Sequence, residues 1–258
     1  MDTACTPRGE IVTLENVSYS YEGNRLINDI SISICLGEDI VFFGPENSGI
    51  DCICQLIVNA AGEFDGNVFF GGRPVKEFDE IEVHNFRKGF GYLQRNFGLI
   101  NNMSVFENIA LPLRYHSRLT SLEVDERVES MIEYLKLEHC AKSRPVHLSS
   151  SELLRTSYGR SIALDPDLLL IEHPLEEQCI LNVQVFMSAL QNRAFAPHKS
   201  VIIVTYRPEL YIEISERFVM LHEGRIVFDG STDEFARAEN PYVKQYMQAS
   251  IDGPMRML

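Results

Sequence analysis

The stretch VFFGPENSGIDCICQLI, residues 41–57, constrains the fold more tightly than any other part of the 258-residue chain. An apolar run, Ile40-Val41-Phe42-Phe43, ends at Gly44; four residues later comes Gly49, and a helix-like pattern follows. Strand, glycine-bounded turn and helix in that order form the frame of a phosphate-binding loop, G-x-x-x-x-G-K-[ST]. The frame is kept and its chemistry is not. Ile50 stands at the lysine position and Asp51 at the Ser/Thr position. Backbone N–H groups between Gly44 and Gly49, including those of Asn47 and Ser48, could still form an anion nest. Loss of the lysine cation removes a contact worth several kcal/mol at an effective dielectric of about 20, and Asp51 and Glu46 place negative charge near any phosphate. The plain alternative is a strand, turn and helix whose loop binds nothing.

Strand and helix patterns alternate around this loop. Residues 10–43 alternate apolar and polar positions as strands do, and GEFDGNVFFGGRPV (62–75) reads as a turn, strand and hairpin. Between 104 and 138 apolar residues recur at helical spacing: Val105, Ile109 and Leu113, then Val128, Met131, Ile132 and Leu135. Ser149–Leu164 reads as a further helix. DLLLIEHP and SVIIVTY read as buried strands, and RFVMLHEGRIVFDG as a strand pair turning at Glu223-Gly224. This order predicts an α/β domain with a parallel sheet.

Charge narrows the function classes. A formal net charge of −14 argues against non-specific binding to nucleic acid or an anionic membrane surface, and it offers little to hold ATP. No apolar run approaches the roughly 20 residues that span a bilayer, and MDTACTPRGE lacks the apolar stretch of a signal peptide. A cytoplasmic protein is expected. Cys5, Cys35, Cys52, Cys54, Cys140 and Cys179 are scattered, so all six are expected to be reduced, mostly packed thiols; the histidines show no metal-ligand spacing and no metal site is expected.

The order of these landmarks resembles an ABC-transporter ATPase subunit over roughly residues 9–254. Within that superfamily the segments NMSVFENIALPLRYHSRL (102–119), RSIALDPDLLLIEHP (160–174) and NPYVKQYMQASIDGP (240–254) resemble the Mla-type phospholipid transport ATPases. The resemblance implies a P-loop NTPase-like fold: a RecA-like core, an N-terminal antiparallel β subdomain and a helical subdomain. Residues 1–8 are expected to be disordered, 9–240 to form the ATPase-like domain with its helical part at about 98–160, and 241–258 to be a C-terminal extension. The resemblance assigns Tyr21 to adenine stacking and Gly44–Asp51 to the phosphates. The γ-phosphate-sensing Gln falls on Arg95, with Gln94 one position early. The signature LSGGQ reads Leu148-Ser149-Ser150-Ser151-Glu152, leaving Ser149 as a plausible donor. The strand that should end Asp-Glu ends Glu172-His173, Cys179 replaces the D-loop Asp, and Tyr206 stands at the switch His. ATPase catalysis is positioning plus charge stabilisation by these groups, so no catalytic residue is expected and no cofactor, although weak ATP/Mg binding stays open. By this pattern, Ile50→Lys with Asp51→Thr should improve nucleotide affinity without restoring activity.

The docking parts look sound by the same resemblance. Phe97, Leu99, Ile100, Met103 and Phe106 match the groove that receives a permease helix, with core packing as the plain alternative. The tail after Asn240 resembles an extension that packs on a neighbouring subunit, or else is an ordinary amphipathic helix with Tyr242, Val243 and Tyr246 inward. The implied partners are an integral-membrane permease (MlaE-like), a second ABC ATPase subunit, identical or an active paralogue, and a small STAS-type protein; nucleic acid is excluded. Three readings follow. The first is a catalytically degenerate scaffold or regulator of a lipid-transport complex on the cytoplasmic face of the inner membrane. The second is a divergent, weakly active ATPase using Glu172 and Asp51 for metal and His173 as base. The third is a soluble interaction module with no permease.

Overall fold

The computed structural model describes residues 9–58, 60–176, 178–193, 195 and 200–255. Residues 1–8, including Cys5, lie outside them. In chain order the elements begin with β1 (Glu10–Tyr21), β2 (Asn24–Cys35), β3 (Asp39–Phe43), α1 (Ile53–Ile57), β4 (Asp65–Phe70) and β5 (Arg73–Pro74). Then come α2 (Glu80–Lys88), β6 (Phe90–Leu93), α3 (Val105–His116), α4 (Ser121–Tyr134), α5 (Ser150–Ile162) and β7 (Leu168–Glu172). The chain closes with α6 (Ile180–Asn192), β8 (Ser200–Thr205), β9 (Arg217–His222), β10 (Arg225–Ser231), α7 (Thr232–Arg237) and α8 (Pro241–Met247).

These elements divide into two compact units, Met1–His84 with Ser200–Leu258, and Asn85–Lys199. The first holds an antiparallel sheet in the order β2-β1-β4-β5 and the strand series β10-β9-β3-β8. β3 runs parallel to both β8 and β9. A strand with parallel neighbours on each side is covered on both faces, and all five β3 residues are buried. β9 and β10 pair through Glu223 and Gly224, both at positive φ, which matches the twist of a two-residue hairpin. Arg217 on β9 forms two bonds of 2.6 Å to Asp229 and donates to the Ser33 carbonyl of β2 at 2.9 Å. One guanidinium thereby ties the two sheets of this unit together.

In the second unit β6 and β7 pair in parallel, Phe90 opposite Leu168 and Leu93 opposite Ile171. The helical spacing read from the sequence lands inward: Val105, Ile109 and Leu113 of α3 and Val128, Met131 and Ile132 of α4 are all buried. Cys35 is disulfide-bonded, which corrects the expectation of six reduced thiols; Cys52, Cys54, Cys140 and Cys179 form no disulfide. Spacing along the chain carries no information about whether Cys35 is paired.

Four helices, α3, α4, α5 and α7, start with a capping box, in which a Ser or Thr side chain accepts from the N–H of a Glu three residues on, whose carboxylate accepts in return. Those backbone N–H bonds hold Glu107, Glu123 and Glu234 below the ordinary value of 4.5. A carboxyl depressed in the folded chain binds protons more tightly when unfolded. Its stabilising contribution is therefore complete above 4.5 and is lost as pH falls through the folded value. Urea midpoints are expected to drop from about pH 5 to pH 3. The Gln variants of all three, which keep an acceptor in the box, should show a shallower drop, and parallel curves would exclude the boxes as its source.

Candidate functional site

The loop after β3 keeps its frame through close backbone approaches. Phe43 packs edge-on against Phe235 (ring centroids 5.3 Å apart), and Phe235 stacks on Phe218 at 4.2 Å. Ser48 N–H donates to the Pro45 carbonyl at 3.1 Å and Ser48 C=O accepts from Gly224 N–H at 2.9 Å. Gly49 has φ 98°, and a Cβ there would lie 2.3 Å from the Leu26 carbonyl, so only glycine fits. Asn47 is exposed at φ 61°, whereas Ser48 is buried with its Oγ unpartnered among the described residues.

The chemistry after Gly49 points elsewhere. Ile50 is fully buried and opens a 3-10 turn, Ile50–Cys52; α1 then runs for five residues only. Aligned peptide dipoles at a long helix N-terminus attract phosphate, and this short element supplies few of them. Asp51 accepts a hydrogen bond from the Tyr206 hydroxyl at 3.1 Å. The Tyr206 carbonyl in turn accepts from the hydroxyl of Tyr246 on α8 at 2.8 Å, and the Gly44 carbonyl lies 3.1 Å from the same hydroxyl. The tail's Tyr246 thus clips the start of the loop to the residue after β8. Of the two readings of the tail, residues 241–247 follow the amphipathic helix: Val243 is buried and Tyr242 and Tyr246 are half-buried. Tyr21, at the β1 end of its hairpin, is 57% exposed.

The other singled-out residues belong to the second unit. Gln94 and Arg95 follow β6 and are exposed. The Gln94 side chain covers Gly98, with its Oε1 2.7 Å from where a Cβ would stand. Glu172, at the end of β7, accepts from the Tyr92 hydroxyl at 2.5 Å. His173 is buried at φ 46°, its Nδ1 3.0 Å from Glu176. Ser149 is the N-cap of α5, and both its N–H (2.7 Å) and its hydroxyl (2.8 Å) donate to Glu152. Burial is the strongest single influence on the Glu152 carboxyl and raises it. Bonds from the Ser149 N–H, His139 and the Ser149 hydroxyl outweigh burial and hold it at about 2. Ser150 Oγ accepts from Gln178 at 2.7 Å.

The five docking candidates are all half-buried. Ile100 and Met103 line a cavity of about 570 Å³ with Tyr92, Leu111 and Tyr115. Phe106 lines another, of about 980 Å³, beside Arg114, Glu133 and Lys142. Buried Asn108 sets the segment's course: its Oδ1 accepts from Ile100 N–H at 2.8 Å and its Nδ2 donates to Ser104 C=O at 2.9 Å. Phe97, at φ 62°, is held through its carbonyl by Ser157 Oγ at 2.8 Å. Tyr92, Asn108 and Glu176 escaped the sequence reading, which placed Tyr246 inward without its bonds to Tyr206 and Gly44. The S-x-x-E pattern at 149–152 was the one local signal that could have shown Glu152 as a capping residue.

The sequence pattern of the family described as ABC transporter matches residues 27–176. The intermembrane phospholipid transport system ATP-binding protein MlaF of Haemophilus influenzae is 24% identical over 247 residues, covering 95% of this chain and 93% of that protein. MlaF of Escherichia coli K12 is 27% identical over 246 residues, with 95% and 91% covered. Among solved structures, the dimeric ATP-binding cassette MJ0796 bound to ADP and Pi superposes with a TM-score of 0.77 at 22% identity, over 86% of this chain and 99% of that one. The last likeness concerns the fold alone.

Proposed function

The chain belongs to the ABC transporter family, and from that premise we propose that it is a catalytically degenerate ATPase-like subunit, a scaffold or regulator of a membrane lipid-transport complex. The hydrogen bond from Tyr206 to Asp51 carries this reading. By family resemblance these are the switch position and the metal-hydroxyl position, and here they are joined to each other. The same conversion recurs elsewhere. The lysine position is a buried Ile50, Ser149 is spent in a capping box, Glu172 is bonded to Tyr92, and His173 faces Glu176. Groups that would bind phosphate, metal or water make protein contacts instead.

The lipid-transport setting rests on the MlaF relatives, matched over nearly their full length. No helix among the described residues is long and apolar enough to cross a membrane, so membrane association would come through partners: a permease engaging the segment from Phe97 to Phe106, and a second ATPase subunit. The proposed location is the cytoplasmic face of the inner membrane. One observation favours the second reading, a weakly active ATPase: the loop frame persists around the buried Ser48 hydroxyl. Titration of the purified chain with ATP, with and without Mg²⁺, separates the two. The degenerate subunit should show no saturation below about 1 mM and no turnover above background. Magnesium-dependent binding in the micromolar range, with turnover lost in Glu172→Ala, would overturn it.

A further inference from the structure

We propose that His139, Cys140 and Glu152 form a binding site for a borderline transition cation of the zinc class, at the first turn of α5. One ligand atom from each, an imidazole nitrogen, a thiol sulfur and a carboxylate oxygen, lies within 4.8 Å of the other two. Zinc held at about 2.0–2.3 Å from such atoms in tetrahedral geometry separates them by roughly 3.3–3.6 Å. The cluster therefore reaches coordinating geometry through shifts of about an ångström. His139 Nε2 already meets Glu152 Oε1 at 2.6 Å, and a cation would part these two atoms while binding both.

The surroundings prepare each ligand. Glu152 Oε2 is fixed by the Ser149 N–H and hydroxyl at 2.7 and 2.8 Å, which leaves Oε1 turned toward His139. An outer hydrogen bond of this kind orients a ligating carboxylate. Cys140 is buried; its thiol lies 3.4 Å from the Leu137 carbonyl, a weak bond, and also interacts with the Glu152 carboxylate, and coordination replaces both. The His139 side chain is 62% exposed, so an ion can enter and a water can complete four-coordination. The ligand set itself selects the ion: thiolate and imidazole favour zinc or cobalt over magnesium and calcium, which take oxygen. Binding displaces the thiol proton to solvent, so thiolate and carboxylate together balance a divalent charge. Arg155 is the neighbouring fixed cation; its guanidinium is turned to the Leu135 and Lys136 carbonyls at 2.7 and 2.9 Å. The net charge of −14 favours cation uptake overall.

The consequence is structural. An ion at this place would pin the 3-10 turn Glu138–Cys140 to the start of α5. The test uses the full chain stripped with a chelator and titrated with Co²⁺, then with Zn²⁺. One equivalent of Co²⁺ should give thiolate-to-cobalt charge-transfer absorption with four-coordinate visible bands, displaced by Zn²⁺. Cys140→Ser should abolish the charge-transfer band, and His139→Asn and Glu152→Gln should each weaken affinity at least tenfold. Cys52→Ser/Cys54→Ser should leave the band intact. His139 is exposed, so His139→Asn carries the test should Cys140→Ser fail to fold. A folded wild-type chain without the band overturns the proposal, as does undiminished uptake in His139→Asn.

Discussion

Replacing Ile50 with lysine is expected to destabilise the fold by about 3–5 kcal/mol and so to fail as a repair of nucleotide binding. Ile50 is fully buried, and its carbonyl accepts the N–H of Ile53 where the 3-10 turn passes into α1. Truncating a packed isoleucine alone costs about 2–5 kcal/mol. A lysine at the same place must either discard its proton, with its pKa pulled down by desolvation, or leave the pocket and open a cavity. Adding Asp51→Thr, the partner change suggested by the loop pattern, replaces the charged carboxylate that accepts from the Tyr206 hydroxyl with a neutral, shorter hydroxyl and costs about 1 kcal/mol more. Ile50→Met conserves volume and should cost under about 1.5 kcal/mol, so it separates packing from charge. Urea unfolding of the three variants decides the matter. A lysine variant with the wild-type midpoint and new ATP affinity would mean that residue 50 faces an open phosphate site, and the account of Ile50 as a packed core residue would fall.

Local pattern carried most of the fold. The five buried residues of β3 and the 3.6-residue spacing of Val128, Met131 and Ile132 are periodic signals that need no partner to be seen. α6 was not read because its buried set is small, Phe186, Ala189 and Leu190, and apolar Ile180 and Leu181 at its start face solvent. At the candidate site the sequence shows which groups are missing, but not what the replacements do. Asp51 and Tyr206 are 155 residues apart, and Gly44 and Tyr246 are 202 apart. Such bonds exist only once β3 and β8 lie side by side. His139 and Glu152 are only 13 apart, yet no spacing rule joins a 3-10 turn to a helix start. The capping boxes are the opposite case. They are strictly local, and reading Glu152 as a lost glutamine concealed its bond to Ser149.

Truncation after Asn240 is expected to destabilise the chain's own fold by about 3–5 kcal/mol, whatever it does to partners. Three contributions add. Val243 is fully buried, and exposing a valine site costs about 1.5–3 kcal/mol. The Tyr246 ring packs edge-on against Phe43 with centroids 5.6 Å apart, worth about 0.5–1.5 kcal/mol beyond its area. Its hydroxyl, one proton held between the carbonyls of Tyr206 and Gly44, adds about 1 kcal/mol. Release of the truncated chain from a complex would therefore not identify the tail as a docking surface, because a destabilised subunit leaves its partners too. Tyr246→Phe resolves the ambiguity: it keeps the ring, loses only the shared proton, and should lower stability by about 1 kcal/mol while leaving the complex intact. Thermal or urea unfolding of the two variants beside the wild type measures both effects. A truncated chain that unfolds at the wild-type midpoint would show that α8 does not brace β3 and its loop, and the tail would then be free to serve a neighbour.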